Sequence, residues 1–146
     1  MGRISLRERI HRGLFLLDGA MGTELIARGI EAGRCNDYLN IESPDIVFDI
    51  HRAYLEAGSD AVLTNTFGAN KYALARHSLA EKVKEINTAA AQIARRVAGE
   101  EKYVLGDIGR LCLYDIRLYL GPILPYILCL CLWYDNILCY GYVWLA

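Results

Sequence analysis

Apolar and polar positions alternate along residues 1–110 in a repeating order of short apolar run, polar loop and amphipathic helix. Three of the apolar runs have the length of buried strands: Leu14–Leu17, Ala61–Thr64 and Tyr103–Leu105. Strands that alternate with helices usually pair in parallel through right-handed crossovers. The pattern therefore predicts an α/β fold with three β/α units, which belong either to a barrel or to an open doubly wound sheet.

Two helices between these runs carry start and stop signals. One has Ser43 as its N-cap and Pro44 at the first helical position, where the missing N–H costs no hydrogen bond, and Gly58 ends it. The other has an apolar stripe over Leu79–Val97 at helical spacing and ends at Gly99. Shorter helical pieces are expected at Ile4–Arg12, Thr23–Arg28 and Tyr72–His77.

The composition changes abruptly at Gly109–Arg110. Of the 33 Asp, Glu, Lys and Arg residues, 30 lie in residues 1–110, whereas residues 111–146 hold four of the five cysteines and eight of the fifteen aromatic residues. A single domain rarely changes composition so sharply at the exit of a strand. We therefore expect residues 1–110 to be an evolved β/α segment and residues 111–146 to be an unrelated tail rich in Leu, Tyr and Cys.

This tail admits three interpretations. Residues 118–134 carry no charge and approach the length of a membrane span, although Pro122 and Pro125 would interrupt it. The four cysteines of the tail lack the CxxC spacing of a metal site. We expect the third interpretation, an unselected and out-of-frame sequence, as would follow from a frameshift or a wrongly joined exon. Membrane association of residues 118–134 is the alternative.

The charge of the whole chain is nearly balanced. A net charge of −1 and a pI near 6.3 give no reason to expect nucleic acid or an anionic membrane surface as a partner. Leu14–Leu17 is too short for the apolar region of a signal peptide, and Asp18 ends it. Cys35 is the only cysteine of residues 1–110, which fits a reducing compartment without disulfides. We therefore expect a cytoplasmic location.

A polar or glycine-rich loop follows each predicted strand: Asp18–Gly22, Thr64–Gly68 and Gly106–Gly109. The carboxyl ends of parallel strands converge on one face of the sheet, and ligands bind on that face. The side chains expected around the ligand site on this face are Asp18, Asn65, Thr66 and Asp107.

Two features of the first loop suit an amino acid as ligand. The Asp18 carboxylate could hold an ammonium group, and the backbone amides of Gly19–Gly22, which precede a helix, could receive a carboxylate or a phosphate. A simple Asp-Gly turn is the competing interpretation of Asp18, and Asn65 and Thr66 could instead cap the next helix. His51 is expected to be a surface or packing residue, and the chain has no GxGxxG, HExxH or Ser–His–Asp set.

Five stretches, in this order, resemble the homocysteine S-methyltransferase family. They are Leu17–Thr23 (LDGAMGT), Cys35–Asp37 (CND), Pro44–Val47 (PDIV), Ile50–Gly58 (IHRAYLEAG) and Thr64–Asn70 (TNTFGAN). The residues at Asn36-Asp37 and at Phe67–Asn70 resemble the corresponding residues of the cobalamin-dependent methionine synthases more closely than those of the betaine–homocysteine methyltransferases. The resemblance covers about residues 10–109.

The resemblance implies a fold, a reaction and a cofactor. The family folds as a (β/α)8 TIM barrel and transfers a methyl group to the sulfur of homocysteine, giving methionine. A zinc ion held by three cysteine thiolates binds that sulfur and keeps it deprotonated. By their positions in the motifs, seven residues are implied to contact homocysteine: Asp18, Gly19, Ala20, Met21, Asn65, Thr66 and Phe67.

The chain departs from the family at the zinc site. The family's zinc cysteines stand in a Gly-x-Asn-Cys stretch and a Gly-Gly-Cys-Cys pair, and neither occurs here. Arg110 stands where the family has a proline after the third strand. We therefore expect the first three units of an incomplete barrel, from a truncated and inactive homocysteine S-methyltransferase with no catalytic or metal-binding residue of its own. The cysteine ligands that would bind zinc in the family are absent from this chain, and cobalamin would act as a cofactor only in a full-length parent protein. The alternative is a non-catalytic fragment with a membrane-inserting tail.

Overall fold

The computed structural model describes residues 3–109 and the strand at 142–144. The α-helices of these residues are α1 (Leu6–His11), α2 (Met21–Ala27), α3 (Leu39–Glu42), α4 (Pro44–Glu56), α5 (Lys71–Ala75) and α6 (Val83–Ala98). Two 3-10 helices lie at Asn36–Tyr38 and Ala80–Lys82. The strands are β1 (Ala61–Leu63), β2 (Tyr103–Ile108) and β3 (Tyr142–Trp144).

β1 and β2 form a parallel pair, in which Ala61 stands opposite Tyr103 and Leu63 stands opposite Leu105. α5 and α6 lie between these strands in the chain, and α6 packs against both of them. The segment from β1 to β2 is therefore a β/α unit of the predicted kind, because parallel neighbours need a crossover of this type. The predicted parallel pairing of these two strands is confirmed.

β3 is the one element that the structure describes beyond residue 109. It pairs antiparallel with β2, with Gly106 opposite Trp144, and no sequence pattern predicted it. Residues 118–134 and the four cysteines of the tail lie outside the described residues. Among the helices that the structure does describe, none has the length and apolar character needed to span a membrane.

The prediction of a buried strand at Leu14–Leu17 is wrong. The segment has no regular secondary structure, and Leu14 and Leu16 are 78% and 46% exposed. Its end nevertheless runs beside β1, because Ala61 N donates to Leu16 O at 3.3 Å and Asp18 N donates to Ala61 O at 3.1 Å. These few bonds do not form the regular hydrogen-bond ladder of a strand, and no described residues cover the exposed Leu14 and Leu16 side chains. The apolar run therefore marks a segment beside the sheet rather than a strand inside it.

The capping residues place the two long helices. α4 begins at Pro44 as predicted, with Ser43 at its N-cap, although the Ser43 side chain makes no capping hydrogen bond. α6 ends before Gly99, whose φ of 54° lies in the left-handed region that glycine tolerates. The first predicted turn of this helix is instead a 3-10 helix, so that α6 itself begins at Val83.

The apolar core lies between the helices and the parallel strand pair. One cluster joins α4 to α2, α3 and α6, and its buried members are Leu25, Leu39, Val47, Ile50 and Ile93. A second cluster lies along β1 and β2. A third joins α5 to the start of α6 through Ala69, Leu74 and Ile86. The third cluster anchors the loop between β1 and α5, where several candidate site residues lie.

Replacing Ile86 by Ala tests whether this third cluster supports the fold. Ile86 is fully buried, so Ile86→Ala should lower the free energy of unfolding by about 2–5 kcal/mol, the usual cost of removing buried methyl groups and leaving a cavity. Ile26→Ala, at a position 56% exposed, is the matched control and should change it by less than about 0.5 kcal/mol. Urea unfolding of the whole chain would measure both, and equal losses would contradict the assignment of core and surface.

Candidate functional site

The loops that follow Leu14–Leu17 and β1 meet the end of β2 in one cleft of about 750 Å³. The cleft is lined by the loop before α2, the loop at the first 3-10 helix, the loop after β1, and Asp107 on β2. All seven residues that the motifs implied for homocysteine are among its lining residues: Asp18, Gly19, Ala20, Met21, Asn65, Thr66 and Phe67. The structure therefore brings the predicted residues together, as the convergence of parallel strand ends requires. Their contact with a substrate stays a prediction.

Asp18 joins the first loop to β1. Both of its carboxylate oxygens accept from the Leu63 N–H, each at 3.1 Å, and its side chain is only 4% exposed. The competing interpretation, an Asp-Gly turn, is wrong, because no turn forms between Leu14 and Ala20. The carboxylate is therefore held by backbone at the inner end of the cleft.

Gly19 allows the first loop to pass close to the ring of Tyr54. A Cβ at Gly19 would come within 2.8 Å of that ring, and the Tyr54 hydroxyl donates to the Ala20 carbonyl oxygen at 3.2 Å. Ala20 is the N-cap residue of α2 and makes no side-chain capping bond. The first loop is thus fixed from α4, and its backbone borders the cleft.

Two threonine hydroxyls join the loop after β1 to the end of β2. Asp107 N donates to Thr64 Oγ1 at 3.0 Å, and Thr66 Oγ1 donates to Asp107 O at 2.7 Å. The two hydroxyl oxygens are 2.6 Å apart, and Thr64 supplies the proton between them because the Thr66 proton is already used. The suggestion that Asn65 and Thr66 cap the next helix is wrong, since Asn70 caps α5 through its side-chain oxygen.

Asn65 and Phe67 differ in what they offer to a ligand. Asn65 is buried, its Nδ2 donates to Asn36 O at 2.8 Å, and its own carbonyl oxygen accepts from Asn40 Nδ2 at 2.7 Å. Phe67 is 46% exposed at the edge of the cleft. Asn65 therefore holds the loop in shape, whereas Phe67 presents an open aromatic surface.

Asp37 is a residue of this cleft to which the sequence pattern assigned no role. It is 9% exposed, and its Oδ1 accepts from the Gly68 N–H at 2.8 Å. Burial raises the pKa of Asp37 above its ordinary value, and the hydrogen bond from Gly68 offsets part of that effect. Because its loop follows no strand, the rule that ligands bind at strand ends could not find it.

Charged groups of both signs line the cleft. Burial, followed by the negative charges of Asp37 and Asp18, raises the pKa of Asp107 above its ordinary value. Arg34 and Arg76 line the same cleft, and Arg34 forms an ion pair with a glutamate of α3. A cleft with carboxylates and guanidinium groups suits a zwitterion such as an amino acid.

The described residues do not fit the zinc site that the resemblance implies. Within residues 3–109, no three His, Cys, Asp or Glu side chains lie close enough together to hold a metal ion. Cys35 is the only cysteine of that range, and burial raises the pKa of its thiol, which disfavours the thiolate that a metal needs. The cysteines after residue 110 lie outside the described residues.

His51 lies behind Asp18, on the buried face of α4. The side chain is fully buried, and its Nδ1 is 3.7 Å from Asp18 Oδ2. Neither ring nitrogen has a hydrogen-bond partner among the described residues. The sequence left two alternatives for His51, a surface residue or a packing residue, and its burial excludes the surface position. The helical spacing from the buried Val47 is a signal for this burial, but nothing in the sequence indicates the neighbouring Asp18.

Gly68→Ala tests the close contact between the loop after β1 and Asp37. A Cβ at Gly68 would come within 2.6 Å of Asp37 Oδ2, so the loop or the carboxylate must move. We expect a loss of about 1–3 kcal/mol in the free energy of unfolding, as for other overpacked positions. Gly106→Ala is the matched control, because a Cβ there meets nothing within 4 Å. If the two variants are equally stable in urea unfolding, the contact is not a tight one.

Comparison with known proteins identifies relatives of this chain. A model of the homocysteine S-methyltransferase family matches residues 15–121, which extends beyond residue 109, where the recognised motifs end. The chain is 44% identical to the methionine synthase of Mycobacterium tuberculosis (strain H37Rv), over 63% of this chain and 9% of that protein. The methionine synthase of Mycobacterium leprae is 41% identical, over 71% of this chain and 10% of that protein. The chain thus spans about a tenth of the length of these relatives.

Solved structures of a homocysteine methyltransferase are similar in fold. The metallated form of MmuM from Escherichia coli superposes with a TM-score of 0.62 and 26% identity, over 80% of this chain and 44% of that chain. The oxidised form of the same protein gives a TM-score of 0.61, over 71% of this chain and 40% of that chain. Because the family model matches more than half of its residues, the chain belongs to the homocysteine S-methyltransferase family.

Proposed function

We propose that this chain binds homocysteine in the cleft between the first loop and β1, as the substrate-binding part of a methyltransferase that produces methionine. The observation that carries this proposal is the meeting of the LDGAMGT and TNTFGAN loops in one cleft lined by carboxylates. The family and the methionine synthase relatives support the same substrate. The chain spans only about a tenth of those relatives, so we propose methyl transfer only for a longer parent protein of which this chain would be a part.

The fold of the parent domain is proposed to be a (β/α)8 barrel. In such a barrel, successive strands are neighbours, and their carboxyl ends form the ligand-binding face. Leu14–Leu17, β1 and β2 stand in this order, and backbone hydrogen bonds join each of them to the next. This order and the likeness to MmuM support the interpretation of the three segments as the first three units of a barrel.

The ammonium group of homocysteine would lie against Asp18 and Asp107. Burial raises the pKa of Asp107 most, and the charges of Asp37 and Asp18 raise it further, because an ionised Asp107 repels these two carboxylates. A bound ammonium group would offset this repulsion, and a charge-assisted hydrogen bond to Asp18 would orient it. The carboxylate of the amino acid would face the positive groups of the cleft, Arg34 and Arg76.

The described residues offer no metal site that could activate the substrate sulfur. A free thiol has a pKa of about 8.5, so most of the homocysteine stays protonated at neutral pH unless a cation or a base acts on it. The family uses zinc for this purpose, and no described set of residues fits that ion. The sequence also lacks the Gly-x-Asn-Cys and Gly-Gly-Cys-Cys stretches that hold zinc in the family. We propose on this ground that the chain binds homocysteine without methylating it, and that cobalamin would act only in a longer parent protein.

Asp18→Asn tests the contact with the ammonium group. The Asn side chain keeps the size of Asp18 and an oxygen that accepts from the Leu63 N–H, but it removes the charge. A hydrogen bond to a charged group contributes about 1.5–3 kcal/mol, so homocysteine should bind roughly 10- to 150-fold more weakly. Isothermal titration calorimetry on the whole chain would measure both affinities.

Two controls separate the loss of this contact from damage to the fold. Asp49→Asn removes a carboxylate from the exposed face of α4 and should leave binding unchanged. The compound 4-mercaptobutanoate, which is homocysteine without its amino group, should bind the Asp18 variant and the unchanged chain equally well. Homocysteine binding of undiminished affinity in the Asp18 variant would contradict the proposed orientation.

The chain should produce no methionine, because its sequence lacks the two cysteine stretches that hold zinc in the family. Purified protein would be incubated with zinc, homocysteine and a set of methyl donors that includes methylcobalamin, and methionine would be measured by mass spectrometry. The unchanged chain and the Asp18→Asn variant should both match a control without protein. Methionine formed by the unchanged chain and lost in the variant would overturn this part of the proposal.

A further inference from the structure

We propose that His51 is a positioning residue for Asp18. Its Nδ1–H forms a hydrogen bond to Asp18 Oδ2 when an ammonium group enters the cleft, and this bond keeps the carboxylate directed at the cation. The inference rests on the proposed function, in which Asp18 contacts the ammonium group of homocysteine. It adds a residue that lies behind the binding surface and touches no substrate.

The first observation is the burial of an imidazole without a partner. His51 is fully buried on α4, and both ring nitrogens lack a hydrogen-bond partner within residues 3–109. Buried polar atoms are almost always hydrogen-bonded, because an unpaired one loses its bonds to water and gains nothing in return. An apolar side chain of similar size would avoid this cost. The histidine at this position therefore needs a reason other than packing.

The second observation is the direction in which the ring faces. His51 Nδ1 is 3.7 Å from Asp18 Oδ2, which is too long for a hydrogen bond but needs only a small movement to become one. Hydrogen bonds of this kind are often long without substrate and shorten when it binds. A ring that carries its proton on Nδ1 can donate to Asp18 in this geometry.

The third observation is the capacity of the Asp18 carboxylate. Its two oxygens offer about four acceptor sites, and the Leu63 N–H donates a bifurcated hydrogen bond to both oxygens, each at 3.1 Å. A bond from His51 would occupy a further site on Oδ2 and leave acceptor capacity for an ammonium group. With donors on two sides, the carboxylate cannot rotate away from the cleft. His51 would then act on substrate affinity through the orientation of Asp18.

Two substitutions distinguish positioning from packing. His51→Leu keeps an apolar side chain of similar volume and removes the donor, whereas His51→Asn keeps an N–H donor near the position of Nδ1. We expect His51→Leu to weaken homocysteine binding by about tenfold, the lower end of the loss for one hydrogen bond to a charged group, because His51 acts through Asp18. His51→Asn should retain most of the affinity. Neither substitution should change the affinity for 4-mercaptobutanoate, which has no ammonium group. Calorimetry on the whole chain would measure these affinities, with thermal unfolding to confirm that each variant is folded.

Nitrogen-15 NMR of the unchanged chain tests the same bond without relying on a folded Leu variant. The chain has three histidines, and the spectrum of His51→Asn identifies the His51 signals by difference. We expect the proton on Nδ1 and none on Nε2. We also expect the Nδ1–H signal to move downfield when homocysteine is added, but not when 4-mercaptobutanoate is added.

The outcomes separate this inference from the proposed function. Homocysteine binding that depends on Asp18 but is the same in the His51→Leu variant would overturn the positioning role alone. An unchanged Nδ1 signal at saturating homocysteine would do so as well. If the unchanged chain does not bind homocysteine at all, both the proposed function and the role of His51 are wrong. Loss of affinity for both compounds in the Leu and Asn variants alike would show that His51 only packs.

Discussion

The hydrogen bond from the Leu63 N–H to the Asp18 carboxylate holds the first loop against the end of β1. No regular strand precedes Asp18 in the described chain, so this side chain supplies a bond that a neighbouring strand would otherwise make. The carboxylate is nearly buried as a result, with His51 as its neighbour on the other side. A buried carboxylate requires polar partners, and the bonds from Leu63 fix the orientation in which Asp18 borders the cleft.

A second set of bonds holds the opposite side of the cleft. The hydroxyl groups of Thr64 and Thr66 bond to the backbone of Asp107 and so join the loop after β1 to β2. The Asp107 side chain lies in the same cleft as Asp18 and Asp37, and burial, followed by the charges of Asp37 and Asp18, raises its pKa. Perturbed carboxylates in a cleft are a frequent property of ligand sites.

The local signals in the sequence predicted much of the fold. Pro44 and Gly99 mark helix ends because their backbone preferences act within a few residues, and the apolar runs at β1 and β2 predicted a parallel pair that the structure contains. The same reasoning was wrong for Leu14–Leu17. An apolar run indicates a preference for burial, but it does not say which layer will cover it, and here the described chain leaves much of the segment exposed.

The sequence by itself determined which loops carry the candidate chemistry, because residue type and position after an apolar run are local properties. It therefore led to Asp18 and to the loop after β1, and the structure places both in one cleft. Only the tertiary structure decided that Asp37 bonds to Gly68 and that His51 faces Asp18. These pairs are far apart in the chain, and no periodicity or motif links them. They meet because helices and strands pack in one particular arrangement, which depends on the whole core rather than on any single segment.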